Sequence, residues 1–120
     1  MKQMRPVILI DDDRLIREGL RVFFESEKIT VKEAENGKQG LELIRESCGD
    51  CVVLLDLQMP VMTGEELLEA LSKDENPKIR TVPVLVLTAR GQGFQHPGII
   101  GTIHKPFDLD ELLAKIKALC

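Results

Sequence analysis

Polar side chains capable of metal or phosphate chemistry stand at the ends of four apolar runs of strand length. They comprise three acids after residues 7–10, one acid after residues 52–55, a hydroxyl after residues 84–87 and a lysine just beyond residues 99–103, namely Asp11, Asp12, Asp13, Asp56, Thr88 and Lys105. Carboxylates gathered at one edge of a sheet oppose folding unless a cation compensates their charge. The combination predicts a magnesium-dependent phosphoryl site.

The acids have the chemistry of magnesium ligands. Mg²⁺ takes a near-octahedral shell of oxygens and is usually held by one or two carboxylates together with waters and phosphate oxygens. Asp11 and Asp12 are adjacent where the first strand ends, and Asp56 arrives from a neighbouring strand. A backbone carbonyl just after Asp56, assigned to Gln58, is a further predicted ligand.

Phosphoryl transfer would use the remaining groups. A carboxylate can attack phosphorus and form an aspartyl phosphate, a reaction that needs charge neutralisation and positioning more than covalent help. The cation and the Lys105 ammonium would neutralise the phosphoryl oxygens, and Thr88 would donate a hydrogen bond to one of them.

The elements that position these groups alternate between strand and helix. A weaker strand pattern at 29–34 joins the four apolar runs, and helical spacing appears in three sets of residues: Leu15, Ile16, Leu20, Phe23 and Phe24; Leu67, Leu68 and Leu71; Leu109, Leu112, Leu113 and Ile116. This alternation predicts a parallel sheet covered by helices on both faces, with the weaker strand, which carries Lys32 and Glu33, at an edge. Ligands of such sheets bind beyond the carboxyl ends of the strands, where the predicted site residues fall.

Composition limits the classes of function. The 120 residues suit one domain, which we place at 1–120, and the net charge of −4 argues against direct nucleic-acid binding. No apolar stretch approaches the ~18 residues of a membrane span. The segment before the first strand leaves no room for a signal peptide. We therefore expect a cytoplasmic protein without membrane contact.

Each candidate residue also has an ordinary structural interpretation. Asp12 or Asp13 is suited to cap the helix that starts near Arg14, and Thr88 is suited to cap a turn. Lys105, taken alone, would be an ordinary surface lysine. For the ordinary interpretation to hold, four strand ends would have to carry these groups by accident, so a shared site is favoured.

Four segments in combination resemble the receiver domain of bacterial two-component response regulators, over essentially the whole chain. They are Val7–Asp13, Asp56–Gly64, Thr88-Ala89 and Lys105-Pro106-Phe107. The resemblance implies an α/β, flavodoxin-like, doubly wound fold with a five-stranded parallel sheet in the order 2-1-3-4-5. It further implies that a sensor histidine kinase or a histidine phosphotransfer protein phosphorylates Asp56.

The resemblance also implies roles for the other site residues. Asp11, Asp12, Asp56 and the Gln58 carbonyl would hold Mg²⁺, and Thr88 and Lys105 would couple phosphorylation to conformation. Such a domain is a signalling module rather than an enzyme, since it catalyses only its own phosphorylation and dephosphorylation. A phosphorylation-dependent dimer, or a contact with an output domain, is left open.

The alternative is a haloacid-dehalogenase-like phosphatase with Asp11 as its nucleophile. Those enzymes also begin with a strand that ends in Asp-x-Asp, which Asp11-Asp12-Asp13 satisfies. They need a further acidic pair on a later strand, whereas this chain offers the lone Asp56 and is too short to include a cap domain. A degenerate receiver used only for docking would lack the acid pair or the central aspartate.

Residues 88–98 depart from the receiver pattern. Three glycines and a proline in this segment make a helix of two or more turns improbable, so we expect the fourth receiver helix to be missing or reduced to one turn. Thr102 stands where many receivers have an aromatic residue. Ordering of residues 90–98 is therefore the expected response to phosphorylation, and the Lys105–Pro106 peptide is expected to be cis.

Overall fold

The computed structural model describes residues 5–56, 63–88, 99–104 and 108–119, with Thr88 and His104 described by their backbone alone. In chain order the elements within these ranges are β1 (Val7–Ile10), α1 (Arg14–Ser26), β2 (Val31–Ala34), α2 (Gly37–Glu46), β3 (Val52–Asp56), α3 (Gly64–Ser72), α4 (Pro77–Arg80), β4 (Val84–Thr88), β5 (Ile99–His104) and α5 (Leu109–Leu119). The single-turn α4 precedes β4 and is distinct from the receiver helix expected to be shortened after that strand.

The sheet has the predicted topology. Its five strands are parallel in the order β2-β1-β3-β4-β5. The chain leaves β1 toward β2 on one side and returns to β3 on the other, so the strand order reverses between β1 and β3. Ligands of open α/β sheets bind at such a switch point, outside the carboxyl ends of the strands.

Helices cover the two faces of the sheet with separate apolar clusters. Ile8, Ile10, Val53 and Leu55 point to the face that α2 and α3 cover. Val7, Leu9, Val52 and Leu54 point to the opposite face, against α1 and α5. The alternation along β1 and β3 follows from the two-residue period of a strand. Every residue of these two central strands before Asp56 is fully buried, which explains their continuous apolar runs.

Some details differ from the sequence-based expectation. The predicted face of α1 included Leu15, which is 78% exposed, while Leu20 and Phe24 are buried. Ile16, Leu20 and Phe24 are spaced four residues apart and line the side of α1 that packs on the sheet. Leu15 is one residue before Ile16, so it lies about 100° around the helix from that side. The edge position of β2 is confirmed; the strand itself begins at Val31.

The two described cysteines differ in environment. Cys51 is fully buried, and this burial raises the pKa of its thiol, so the thiol stays protonated at neutral pH. Cys48 is exposed.

Several predictions concern residues outside the described ranges. They are the shortened helix within 88–98, the cis Lys105–Pro106 peptide, and the roles of the Gln58 carbonyl and of Lys105. Among the described helices, none is long and apolar enough to cross a membrane.

Candidate functional site

The register of the central strands brings Asp11 and Asp56 side by side. Ile10 pairs with Leu55 across β1 and β3, so the next residue of each chain segment is an aspartate at the same level. Asp56 is the last residue of β3, and Asp11 immediately follows β1. The backbone N–H of Asp11 donates to the carbonyl of Ala34 at 3.1 Å, which continues the β1–β2 pairing up to the site.

Three of the predicted acids converge at this edge. One carboxylate oxygen from each of Asp11, Asp12 and Asp56 lies within 4.8 Å of the others. Asp11 is fully buried and Asp56 is 9% exposed, whereas Asp12 is exposed. The fold therefore gathers these three residues at the carboxyl ends of β1 and β3, where the strand order reverses.

The donor set fits a hard divalent cation. All three side chains offer carboxylate oxygens, the ligands that Mg²⁺ prefers, and the exposed Asp12 leaves an open side for water or phosphate oxygens. Two negative charges about 4 Å apart repel by on the order of 4 kcal/mol at an effective dielectric constant of ~20. A bound cation would relieve this repulsion.

Asp13 has a different role from its two neighbours. Its carboxylate accepts hydrogen bonds from the backbone N–H groups of Leu15, at 3.0 Å, and Ile16, at 3.3 Å, and it is the N-cap of α1. The backbone N–H of Asp13 donates to Oδ1 of Asp11 at 2.9 Å. The choice between Asp12 and Asp13 as helix cap is thereby decided in favour of Asp13.

Thr88 ends β4 at the same edge of the sheet. Its backbone pairs in register with that of His104, the last residue of β5, and Lys105 is the next residue along the chain. The roles of the Thr88 side chain, Lys105 and Gln58 stay predictions, because these groups lie outside the part of the chain that the structure describes.

Arg17 is a site neighbour that the sequence did not reveal. Its guanidinium Nη1 donates to the backbone carbonyl of Asp11 at 2.7 Å. A helical arginine six residues after an acid gives no pattern by which this contact could have been found, because the contact depends on how α1 packs against β1 and β2.

An open parallel α/β sheet in the order β2-β1-β3-β4-β5, with three carboxylates clustered at its switch point, defines a flavodoxin-like domain with an acidic site. The chain belongs to the response regulator receiver domain family, whose family model matches residues 7–117. Family membership gives the chain a signalling role and does not favour the haloacid-dehalogenase-like alternative.

Curated relatives support this assignment. The Transcriptional regulatory protein CpxR homolog of Haemophilus influenzae is 37% identical over 121 residues, covering 97% of this chain and 50% of that protein. Response regulator MprA of Mycolicibacterium vanbaalenii is 36% identical over 118 residues, covering 94% of this chain and 49% of that protein. The chain thus spans about half the length of the curated relatives it matches.

Solved structures agree with the fold. The chemotaxis response regulator CheY4 of Vibrio cholerae superposes with a TM-score of 0.83 at 25% identity, covering 98% of this chain and 100% of that chain. The receiver domain of Francisella response regulator 1452 superposes with a TM-score of 0.79 at 27% identity, covering 96% of this chain and 95% of that chain. The five-stranded order found here is that of these CheY-like neighbours.

Proposed function

We propose that this receiver domain accepts a phosphoryl group on Asp56 in a magnesium-dependent reaction of a phosphorelay. The donor is a phosphohistidine of a sensor histidine kinase or of a histidine phosphotransfer protein. The observation that carries the proposal is the convergence of oxygens from Asp11, Asp12 and Asp56 within 4.8 Å at the switch point of the sheet.

The difference in exposure favours Asp56 over Asp11 as the nucleophile. Asp11 is fully buried, whereas Asp56 retains 9% exposure at the end of β3. A phosphohistidine on another protein must bring its phosphorus atom into contact with the attacking oxygen. An aspartate with some exposed surface is easier for that phosphorus atom to reach than one that is fully buried.

In the proposed reaction, a carboxylate oxygen of Asp56 attacks phosphorus as the phosphorus–nitrogen bond of the donor breaks. The bonding electrons leave with the imidazole, which takes up a proton, and Asp56 becomes an acyl phosphate. Mg²⁺, held by Asp11, Asp12, Asp56 and the Gln58 carbonyl, would supply charge neutralisation at the phosphoryl oxygens. Thr88 and Lys105 are proposed to bind those oxygens and to couple phosphorylation to conformation.

The partners follow from the same proposal. The donor protein is the first partner, and a phosphorylation-dependent dimer or an output domain is the second. The CpxR homolog of Haemophilus influenzae and SrrA of Staphylococcus aureus both carry the description transcriptional regulatory protein, and each is about twice the length of this chain. The net charge of −4 makes direct nucleic-acid contact by this segment unfavourable. We place the domain in the cytoplasm.

Intact-protein mass spectrometry with a small-molecule donor tests the proposal. Incubation with acetyl phosphate and Mg²⁺ should add the mass of one phosphoryl group to the wild-type chain. Omission of Mg²⁺ or the substitution Asp56→Asn should abolish the addition, while Asp13→Ala, which alters the adjacent helix cap, should retain it. Equal phosphorylation of Asp56→Asn and wild type would sink the assignment.

A further inference from the structure

Arg17 links the predicted metal site to the edge of the sheet. It lies on α1, and its side chain is 12% exposed. Nη1 donates to the Asp11 carbonyl at 2.7 Å, and Nε lies 3.4 Å from Oε1 of Glu33 on β2. One largely buried guanidinium therefore connects the end of β1 to a carboxylate on the neighbouring strand.

Glu33 anchors this guanidinium. Its other oxygen, Oε2, accepts a hydrogen bond from Nη1 of Arg21 at 2.9 Å, and its side chain is 24% exposed. The carboxylate is thus shared between two arginines one helical turn apart. Arg17 and Arg21 carry the same charge and use the same anchor, but the hydrogen bond to the Asp11 carbonyl comes from Arg17.

The contact with Arg17 acts on Asp11 together with two other hydrogen bonds. The Asp11 N–H donates to the Ala34 carbonyl at 3.1 Å, its Oδ1 accepts from the Asp13 N–H at 2.9 Å, and its carbonyl accepts from Arg17. The Asp11 carbonyl belongs to the planar peptide unit that leads into Asp12. A hydrogen bond that fixes this carbonyl also fixes the direction in which the chain enters Asp12.

We propose that Arg17 is a positioning residue, which holds the Asp11–Asp12 peptide so that both carboxylates face the same cation. The inference rests on the proposed function for the identity of that cation and of the reaction. It requires no direct contact between Arg17 and the metal or the phosphoryl group.

Charge and positioning predict opposite effects when Arg17 is removed. A cationic guanidinium near three carboxylates disfavours a second cation, so loss of its charge alone would tighten Mg²⁺ binding. Loss of positioning would weaken it, and replacement of groups that orient metal ligands typically lowers affinity by 10–100-fold. The direction of the change therefore separates the two effects.

The test compares Arg17→Gln with Arg21→Gln by calorimetric titration of Mg²⁺. Both variants lose one positive charge next to Glu33, and only the first loses the hydrogen bond to Asp11. We expect Arg17→Gln to raise the Kd for Mg²⁺ by about tenfold and Arg21→Gln to change it by less than about twofold. At saturating Mg²⁺, Arg17→Gln should still be phosphorylated more slowly by acetyl phosphate, because Asp56 and a misplaced Asp12 share the site.

Arg17→Lys provides the conservative comparison. It keeps the charge and one donor group but loses the planar guanidinium, which reaches the Asp11 carbonyl and the Glu33 carboxylate together, so its Kd should fall between those of wild type and Arg17→Gln. Should Arg17→Gln fail to fold, Arg17→Lys takes its place against the Arg21→Gln control. Binding of Mg²⁺ by the Arg17 variant as tightly as by Arg21→Gln overturns the proposal.

Amide exchange in the metal-free protein separates this inference from the proposed function. In Arg17→Gln, loss of the hydrogen bond to the Asp11 carbonyl should speed hydrogen exchange of the Asp13 amide by about tenfold relative to Arg21→Gln. The Asp13 amide reports on this region because it donates to Oδ1 of Asp11. A wild-type protein that bound no Mg²⁺ and accepted no phosphoryl group would refute the proposed function, and the exchange comparison would still decide whether Arg17 positions Asp11. Unchanged exchange would refute the positioning role.

Discussion

Three consecutive aspartates in this chain occupy three different environments. Asp11 is buried at the end of β1, Asp12 is exposed beside it, and Asp13 caps α1. Their chemistry is identical, so the differences come from backbone geometry. The strand fixes the direction of the first side chain, and the start of the helix fixes that of the third.

The aspartates should therefore respond differently to substitution. Asp13→Ala removes an N-cap and should lower the free energy of unfolding by ~1 kcal/mol while leaving the affinity for Mg²⁺ close to that of wild type. Asp12→Asn should weaken Mg²⁺ binding and leave the metal-free protein as stable as wild type or more so, because it removes one repelling charge. Urea unfolding with and without Mg²⁺ measures both effects. If Mg²⁺ raised the free energy of unfolding less in Asp13→Ala than in Asp12→Asn, the assignment of Asp12 as metal ligand and Asp13 as helix cap would be contradicted.

Much of the site could be predicted at the residue scale. Asp11, Asp12 and Asp56 follow apolar runs, and strand direction alone places such residues at one edge of a parallel sheet. The contact of Arg17 with Asp11 could not be predicted, because it depends on the distance between α1 and β2 and on the path of a long side chain. The division of roles between Asp12 and Asp13 likewise depended on where α1 begins.

At the scale of elements, two helical glycines illustrate how packing decides the effect of one added methyl group. Gly19 lies on α1, and a Cβ there would meet nothing within 4 Å. Gly40 lies on α2, where a Cβ would fall 2.8 Å from Cγ1 of Ile10, a fully buried residue that directly precedes Asp11. The close approach of α2 to β1 therefore depends on the absence of a side chain at Gly40.

Alanine at these positions should have opposite effects. Gly19→Ala should stabilise the protein by about 0.5–1 kcal/mol, because alanine favours the helix and nothing obstructs it. Gly40→Ala should destabilise it by about 1–3 kcal/mol, because Ile10 must shift within a packed core. Chemical denaturation followed by far-UV circular dichroism suits a chain without Trp or Tyr. A stabilising Gly40→Ala would show that α2 lies farther from β1 than described here.

The elements themselves were largely predictable from local pattern. Strand-length apolar runs marked the strands, and Asn36 and Thr63, whose residue types favour N-cap positions, cap α2 and α3 in the structure. Leu15 was placed on the wrong face because its apolar character suggested burial, although helical geometry puts it about 100° from Ile16. Local pattern cannot show which apolar residue of a helix lacks a partner.

At the scale of the whole molecule, the proposed metal site would link the stability of the fold to Mg²⁺. The acids sit at the ends of β1 and β3, which pair with each other and with β2 and β4, two of the three other strands of the sheet. Repulsion among the carboxylates therefore acts on the central part of the domain.

Addition of Mg²⁺ should accordingly raise the free energy of unfolding. A ligand that binds only the native state contributes RT ln(1 + [L]/Kd), or ~2.7 kcal/mol at a hundredfold excess over Kd. Urea unfolding at a series of Mg²⁺ concentrations, with ionic strength held constant by NaCl, measures the effect. An unfolding midpoint indifferent to Mg²⁺ would contradict the metal site.

The most direct test of the central claim is to locate the acyl phosphate on the chain. Protein treated with acetyl phosphate and Mg²⁺ is reduced with borohydride, which converts a phosphorylated aspartate to homoserine, and the product is digested and sequenced by mass spectrometry. The account predicts homoserine at position 56, dependent on Mg²⁺ during phosphorylation. Homoserine at position 11 would contradict it and would support the phosphatase interpretation.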